Sequence, residues 1–129
     1  HGEQIAGLLD ETKTGLRSTK ELMYASCDAP AATLHANTTI GAVITNAAFS
    51  KAEMNKIAAM AHNGYARAIA PVNTTADGDS VYALSVGTLA ADVNLVGTLA
   101  ADVVQKAIYS AVWEAESAYG LKCARDIVK

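Results

Sequence analysis

The sequence is poor in the residue types that mark several large classes of protein function. Its 129 residues include only two cysteines and three histidines, and Cys27 and Cys123 form no Cys-x-x-Cys pair. Zinc sites draw on closely spaced Cys and His ligands, so the sequence predicts no metal site. Two unrelated, reduced thiols are typical of a cytosolic protein, and we expect a cytoplasmic location.

Aromatic residues, basic runs and long apolar runs are scarce as well. Aromatic residues make up 5% of the chain and the net charge is −3, so neither a basic patch nor a set of stacking rings marks a nucleic-acid partner. No apolar run approaches the roughly 18 residues that a membrane helix needs, so no membrane contact is predicted. Phosphate-binding glycine loops and a Gly-x-Ser-x-Gly turn are also missing, and no cofactor is expected.

The residues that are present predict one globular domain with a substantial core, since 51% are hydrophobic and only 18% are charged. Residues 1–37 read as a tail, and its last part, residues 27–37, reads as an exposed linker, where a cleavage site should lie. The β-branched, apolar run Thr38–Thr45 predicts a strand that is buried on both faces.

The rest of the chain predicts two helices on either side of a second strand. Ser50 and Glu53 have the spacing of a capping box, which predicts a helix from there to about Ile69. A second strand is predicted over Ser80–Val86. A long helix should run from about Asn94 to Tyr119, with Gly120 as its C-terminal stop. Within this part, Val86–Val93 is repeated as Val96–Val103, which we interpret as coincidence because solenoid repeats are longer and more numerous.

Thr38 is the first candidate for chemistry. A hydroxyl inside a chain is a poor nucleophile because no group removes its proton, whereas an N-terminal threonine carries its own α-amine, with a pKa of about 8, as a base. Cleavage of the Asn37–Thr38 bond would create that terminus, and the strand start would hold the nucleophile at the rim of a sheet. The alternative is that Thr38 is simply a residue of high β-propensity.

Asp77 and Asp79 form the second candidate. Two carboxylates beside a cationic amine could orient it, tune its pKa and relay protons. Alternatively, Asp77-Gly78-Asp79 is an ordinary turn in which glycine supplies a positive φ. Among the histidines, His35 lies two residues before the proposed cut and could assist it, and His62 is expected at the boundary of a helix surface.

Several blocks of the sequence, taken in order, resemble a known family. They are Asn37-Thr38-Thr39-Ile40-Gly41, Lys51-Ala52, Met60-Ala61-His62-Asn63-Gly64, Ala66-Arg67-Ala68-Ile69, Asp77-Gly78-Asp79 and Asp92-Val93-Asn94. Together they resemble the autoprocessing L-aminopeptidase/D-esterase family, which also holds β-peptidyl aminopeptidases and the endo-type 6-aminohexanoate-oligomer hydrolase. The chain is similar to the C-terminal third of such proteins.

The resemblance implies an α+β fold, as part of a four-layer αββα sandwich like that of N-terminal-nucleophile hydrolases. It implies self-cleavage between Asn37 and Thr38, with residues 1–37 as the end of the α fragment and 38–129 as the β fragment. Thr38 would be the nucleophile, and Asp77 and Asp79 would contact it. The implied partners are the rest of the α fragment and further copies of the protein in a homo-oligomer. The implied substrates are small peptides, amides or esters.

Two other functions remain open on the sequence. The chain could be an uncleaved, non-enzymatic α+β domain that binds a partner through unfinished sheet edges. It could also transfer an acyl group, as in the autocleaving ornithine acetyltransferases, which use a similar threonine.

Overall fold

The structure is a computed structural model that describes residues 2–26 and 37–128. This part of the chain contains both helices and strands, which agrees with the predicted α+β class. The elements in chain order are β1 (Leu8–Leu9), β2 (Leu16–Arg17), α1 (Thr19–Ala25), β3 (Ile40–Ala47), α2 (Lys51–Ala68), β4 (Ser80–Leu89), α3 (Val93–Glu114) and α4 (Ala124–Ile127). Cys27 and His35 lie outside the described residues.

The centre of the fold is a parallel β3–α2–β4 unit. The two strands pair in register from Ile40 opposite Ser80 to Thr45 opposite Ser85. Parallel neighbours cannot be joined by a tight turn, and α2 provides the crossover between them. Because the strands run the same way, the residues that precede β3 and β4 meet at one edge of the sheet. Both strands were predicted. β3 begins and ends two residues later than the predicted Thr38–Thr45, and β4 begins at Ser80 as predicted but continues three residues past Val86.

Local capping and an apolar stripe explain α2. The Ser50 hydroxyl accepts from the Glu53 backbone N–H at 3.4 Å, and the Glu53 carboxylate accepts from the Ser50 backbone N–H at 2.8 Å. Such a reciprocal cap satisfies two backbone donors that would otherwise lack partners. The predicted helix is therefore confirmed to within one residue at its end. Its buried residues form the core together with Ala100 and Val104 of α3; they are Met54, Ile57, Ala61 and Tyr65.

The predicted end of α3 is wrong by five residues. The helix stops at Glu114, because Ala115 adopts an extended conformation with ψ of 145°. Contacts with the C-terminal segment replace the last predicted turn: the Arg125 guanidinium donates to the Ala115 carbonyl at 3.1 Å. Gly120 does have a positive φ of 80°, but it lies in a separate turn closed by hydrogen bonds between Ala118 and Leu121.

We expected no apolar segment as long as a membrane helix, but α3 has that length and an apolar composition. Among the described residues, it is the one helix that is long and apolar enough to cross a membrane by length and composition alone. The sequence pattern concealed this because Asp102 and Lys106 interrupt the apolar run. A core helix passes the same test, and α3 packs against α2 through Gly97, Ala100, Ala101 and Val104.

Gly64 sets how closely α2 approaches α3, and its replacement by alanine is expected to destabilise the fold. A Cβ at Gly64 would lie 2.5 Å from the Ala101 carbonyl oxygen and 2.8 Å from the Val104 Cβ. Backbone cannot swing aside as a side chain can, so the helices must separate. We expect Gly64→Ala to lower the free energy of unfolding by about 1–3 kcal/mol, measured by urea unfolding of the protein that contains this chain.

Gly97→Ala is the matched control for this prediction. A Cβ at Gly97 would meet the sulfur and methyl of Met60, which is a flexible side chain that can repack. Its loss of stability should therefore be the smaller of the two. A Gly64→Ala protein as stable as the wild type would contradict the close helix contact.

The outer face of the β3–β4 sheet is exposed. The prediction that the strand Thr38–Thr45 is buried on both faces is therefore wrong for β3 in this chain. Val43, Val81 and Ala83 face α2 and the core. The outer sheet face, on the opposite side, consists of large apolar side chains that are 46–71% exposed; they are Ile40, Ile44, Tyr82, Leu84 and Val86. The β-branched composition correctly indicates an apolar face on each side, but no described element of the chain packs on the outer one.

Candidate active site

The predicted site residues meet where β3 and β4 begin. A parallel bridge between Asn37 and Asp77 extends the sheet beyond the two strands. The Gly78 backbone N–H donates to the Asn37 carbonyl at 2.9 Å, and the Ser80 N–H donates to the Thr39 carbonyl at 2.9 Å. Thr38 therefore lies beside the Asp77-Gly78-Asp79 segment, although some forty residues separate them in sequence.

The Asp79 side chain joins two other parts of the site, the residue after Thr38 and the loop before β4. One carboxylate oxygen accepts from the Thr39 backbone N–H at 2.7 Å, and the other accepts from the Asn73 backbone N–H at 3.1 Å. Burial by itself would raise the pKa of Asp79, but the hydrogen bonds from Asn73 and Thr39 and the nearby His62 imidazole outweigh it and lower the pKa on balance. The carboxylate is thus held ionised one residue along from Thr38.

Asp77 has a different environment. Its Oδ2 accepts from the Thr74 backbone N–H at 2.8 Å and from the Thr74 hydroxyl at 2.7 Å. The Asp77 N–H in turn donates to the Thr74 carbonyl at 3.1 Å. These contacts close the loop before β4 and lie within four residues of chain. The two acids, which the sequence treated alike, therefore differ: Asp79 spans the site, whereas Asp77 shapes its own loop.

Thr38 is exposed, and its hydroxyl lies against Gly78. A Cβ built on Gly78 would be 2.8 Å from the Thr38 Oγ1, so a side chain there would displace the hydroxyl. Gly7 and Gly120 have positive φ angles, whereas Gly78 does not. The alternative in which this glycine supplies a left-handed turn is therefore wrong. What the glycine provides is space beside the threonine.

Tyr65 and His62 of α2 lie next to the site on the core side of the sheet. The sequence analysis did not predict that they contribute to it. The Tyr65 ring is buried, and its hydroxyl donates to the Ser80 carbonyl at 3.1 Å. Burial and the neighbouring Asp79 charge raise the pKa of Tyr65, which keeps the hydroxyl protonated as a donor. His62 packs edge-on against the Tyr65 ring, with 5.3 Å between ring centroids. A tyrosine at a core position needs a polar partner, and that was the available signal.

Metal chemistry receives no support from the part of the chain that is described, because residues 2–26 and 37–128 contain no cluster of three or more Cys, His, Asp or Glu that could hold an ion. The groups gathered at the site are one exposed hydroxyl, two carboxylates and backbone N–H groups, one of which binds the Asn37 carbonyl. That arrangement suits acyl chemistry at a carbonyl carbon.

Comparison with known proteins agrees with this chemistry. The sequence model of peptidase family S58 matches residues 2–125. The chain belongs to peptidase family S58. The family resemblance inferred from the spaced sequence blocks is thereby confirmed. No solved structure gives a significant match.

Curated relatives carry two kinds of name. A protein named uncharacterized aminopeptidase in Mycobacterium tuberculosis (strain ATCC 25618 / H37Rv) is 37% identical over an alignment of 106 residues that covers 70% of this chain and 31% of that protein. A similarly named protein of Mycobacterium leprae is 36% identical over 91% of this chain and 36% of its own length. The 6-aminohexanoate-oligomer endohydrolase of Paenarthrobacter ureafaciens is 29% identical over 85% of this chain and 35% of its own length. This S58 chain therefore spans about a third of the length of the curated relatives it matches.

Proposed function

We propose that this chain is the C-terminal part of an autocleaving threonine hydrolase that acts on amide bonds, as an aminopeptidase or an amino-acid-oligomer hydrolase. The observation that carries the proposal is the placement of an exposed Thr38 beside the Asp77-Gly78-Asp79 segment at one sheet edge in a member of peptidase family S58. The names of the relatives, aminopeptidase and 6-aminohexanoate-oligomer endohydrolase, support amide hydrolysis.

Self-cleavage would come first. The Thr38 Oγ attacks the Asn37 carbonyl carbon, the C–N bond breaks, and the hydroxyl proton ends on the Thr38 nitrogen. Water then hydrolyses the resulting ester, which leaves a carboxylate on Asn37 and restores the hydroxyl. Thr38 is now a chain end, so its α-amine can accept the proton when the same oxygen attacks a substrate amide.

Substrate hydrolysis would follow the same pattern in two steps. The α-amine takes the Thr38 proton and passes it to the leaving amine, and the acyl group remains on Oγ as an ester until water releases it. Asp79 is the residue that we place beside the ammonium form of the α-amine, since its carboxylate already binds the N–H of the next residue at 2.7 Å. No metal or other cofactor is needed for these steps.

The rest of the precursor would complete the fold. Ile40 and Ile44 of the outer sheet face are 71% and 67% exposed, and Tyr82 and Val86 are 62% and 67% exposed. Contiguous apolar surface of this kind marks an interface, and the chain covers only about a third of its relatives. We infer that a sheet from the α fragment packs on this face to give a four-layer αββα sandwich. Residues 1–37 would then end the α fragment and residues 38–129 would form the β fragment, in a cytoplasmic homo-oligomer.

Intact mass of the purified, full-length protein tests this proposal. Two polypeptides should be present, and N-terminal sequencing of the smaller one should begin at Thr38. The cleaved protein should release amines from L-amino acid p-nitroanilides or from 6-aminohexanoate oligomers. A single uncut chain that turns over these amides at full rate would refute the role of Thr38.

An uncleaved binding domain is the second candidate, and the exposed outer sheet face favours it. In that case the full-length protein keeps one mass, hydrolyses no amide or ester, and associates through this face. Replacing Ile44 by Asp would then weaken association in sedimentation experiments.

A further inference from the structure

We propose that the backbone N–H of Gly78 is the oxyanion donor for self-cleavage, because it already binds the carbonyl oxygen of the bond that would be cut. This inference rests on the proposed function, in which Thr38 attacks the carbonyl carbon of Asn37. It assigns to Gly78 a direct contact with a reacting atom, which neither the sequence pattern nor the comparisons provide.

The position of the Gly78 N–H suits a hydrogen-bond donor that stabilises an oxyanion. The Gly78 nitrogen lies 2.9 Å from the Asn37 carbonyl oxygen, so its N–H already points at the atom that becomes the oxyanion. Effective donors lie about 2.7–3.1 Å from that oxygen in the tetrahedral state, which a small movement of the carbonyl would keep within reach. When the Thr38 Oγ bonds to the carbonyl carbon, the electron pair of the C=O bond moves onto this oxygen. A donor in place strengthens its hydrogen bond as that charge develops, and thereby lowers the barrier.

The donor is also preorganised by its neighbours. At Thr39, which follows Thr38 and directly precedes β3, the N–H binds Asp79 at 2.7 Å and the carbonyl accepts from the Ser80 N–H at 2.9 Å. These bonds lie directly beside Thr38 and Gly78, and they fix the register between the two segments that lead into β3 and β4. Little reorganisation is then needed during the reaction, which is the condition under which such donors are most effective.

The residue type fits the same role. Since Gly78 has no positive φ, its backbone conformation does not require glycine. A Cβ there would lie 2.8 Å from the Thr38 Oγ1 and 3.6 Å from its Cγ2. Because Gly78 has no side chain, the Thr38 hydroxyl and the Gly78 N–H can both lie next to the Asn37 carbonyl group. The hydroxyl would attack its carbon, while the N–H binds its oxygen.

An amide-to-ester exchange at position 78 tests the donor directly. Glycolic acid, introduced by nonsense suppression into the full-length precursor, replaces the Gly78 N–H by an oxygen and leaves the rest of the residue unchanged. We expect self-cleavage to slow by about 100-fold, measured as the loss of precursor with time by mass spectrometry. Lactic acid at Ala48 is the matched control, since it removes a similar hydrogen bond, from the Ala48 N–H to the Leu89 carbonyl at 2.8 Å, at the opposite end of the same strands.

The outcomes separate the inference from the proposed function. Slow cleavage at position 78 with near-normal cleavage in the Ala48 control supports the donor. Equal rates for the two esters would overturn it, while a Thr38→Ala precursor that still cleaves would instead overturn the function. If the ester at position 78 does not fold, hydrogen exchange in the uncut Thr38→Ala precursor decides: the Gly78 amide should be as protected as that of Ser80, and rapid exchange would rule the donor out.

Discussion

Thr38→Ala is expected to leave the full-length protein as one uncut chain without amide hydrolase activity. The substitution removes the only oxygen that can attack the Asn37 carbonyl in the proposed step, and without cleavage no α-amine forms to serve as the base. Loss of a nucleophile that acts together with its base costs at least about 10⁴-fold in turnover. Intact mass and release of p-nitroaniline measure the two effects on the same sample.

Two control variants make this result specific. Thr38→Ser keeps the hydroxyl and should still cleave, so its mass spectrum should show both fragments. Thr98→Ala removes a hydroxyl from an exposed threonine of α3 that donates to the Asn94 carbonyl at 2.8 Å, and it should behave as the wild type. An uncut Thr38→Ala protein with wild-type turnover would mean that the reaction uses another nucleophile.

Elements that depend on nearby residues could be predicted from the sequence. The start of α2 follows from Ser50 and Glu53, which bind each other's backbone N–H groups across three residues, and no distant part of the chain is needed. The start of β4 at Ser80 was also predicted. The end of α3 was not: Ala115 is extended there, and its carbonyl accepts from Arg125, ten residues further on, a contact that no local pattern shows.

The repeated segment shows the same limit clearly. Val86–Val93 and Val96–Val103 are identical in sequence, but the first forms the end of β4, a loop and the first residue of α3, whereas the second lies wholly inside α3. Local preference cannot distinguish two identical segments. Gly87 packs against the Asn46 backbone and Gly97 against the Met60 side chain, so it is the tertiary surroundings that separate them.

For the candidate site as well, some residues could be predicted from the sequence and others could not. The sequence predicted Thr38, Asp77 and Asp79, and family resemblance placed them together. Parallel pairing of β3 and β4 is the physical reason that they meet. The hydrogen-bond partners of Gly78 and Tyr65 could not be identified from the sequence, since each is distant along the chain: the Asn37 carbonyl for Gly78 and the Ser80 carbonyl for Tyr65.

Asp79→Asn is expected to reduce both self-cleavage and turnover much more than Asp77→Asn. Each oxygen of Asp79 accepts from a separate backbone N–H, one from Thr39 and one from Asn73. An asparagine has one acceptor and would turn its amide N–H₂ towards a backbone donor, besides losing the charge beside the α-amine. We expect a loss of about 100-fold or more in kcat, measured with a p-nitroanilide substrate and by precursor decay.

Asp77→Asn serves as the matched control, because only one oxygen of Asp77 accepts the two bonds from Thr74, and an amide oxygen can keep both. Acid unfolding provides an independent test. The folded structure lowers the pKa of Asp79, so its contribution to stability is present above the unfolded value of about 3.9 and is lost as the pH falls through the lower, folded value. The Asp79→Asn protein should therefore lose less stability than the wild type as the pH falls from about 5. Equal kinetic losses in the two variants, with unchanged acid unfolding, would show that Asp79 has no special place beside Thr38.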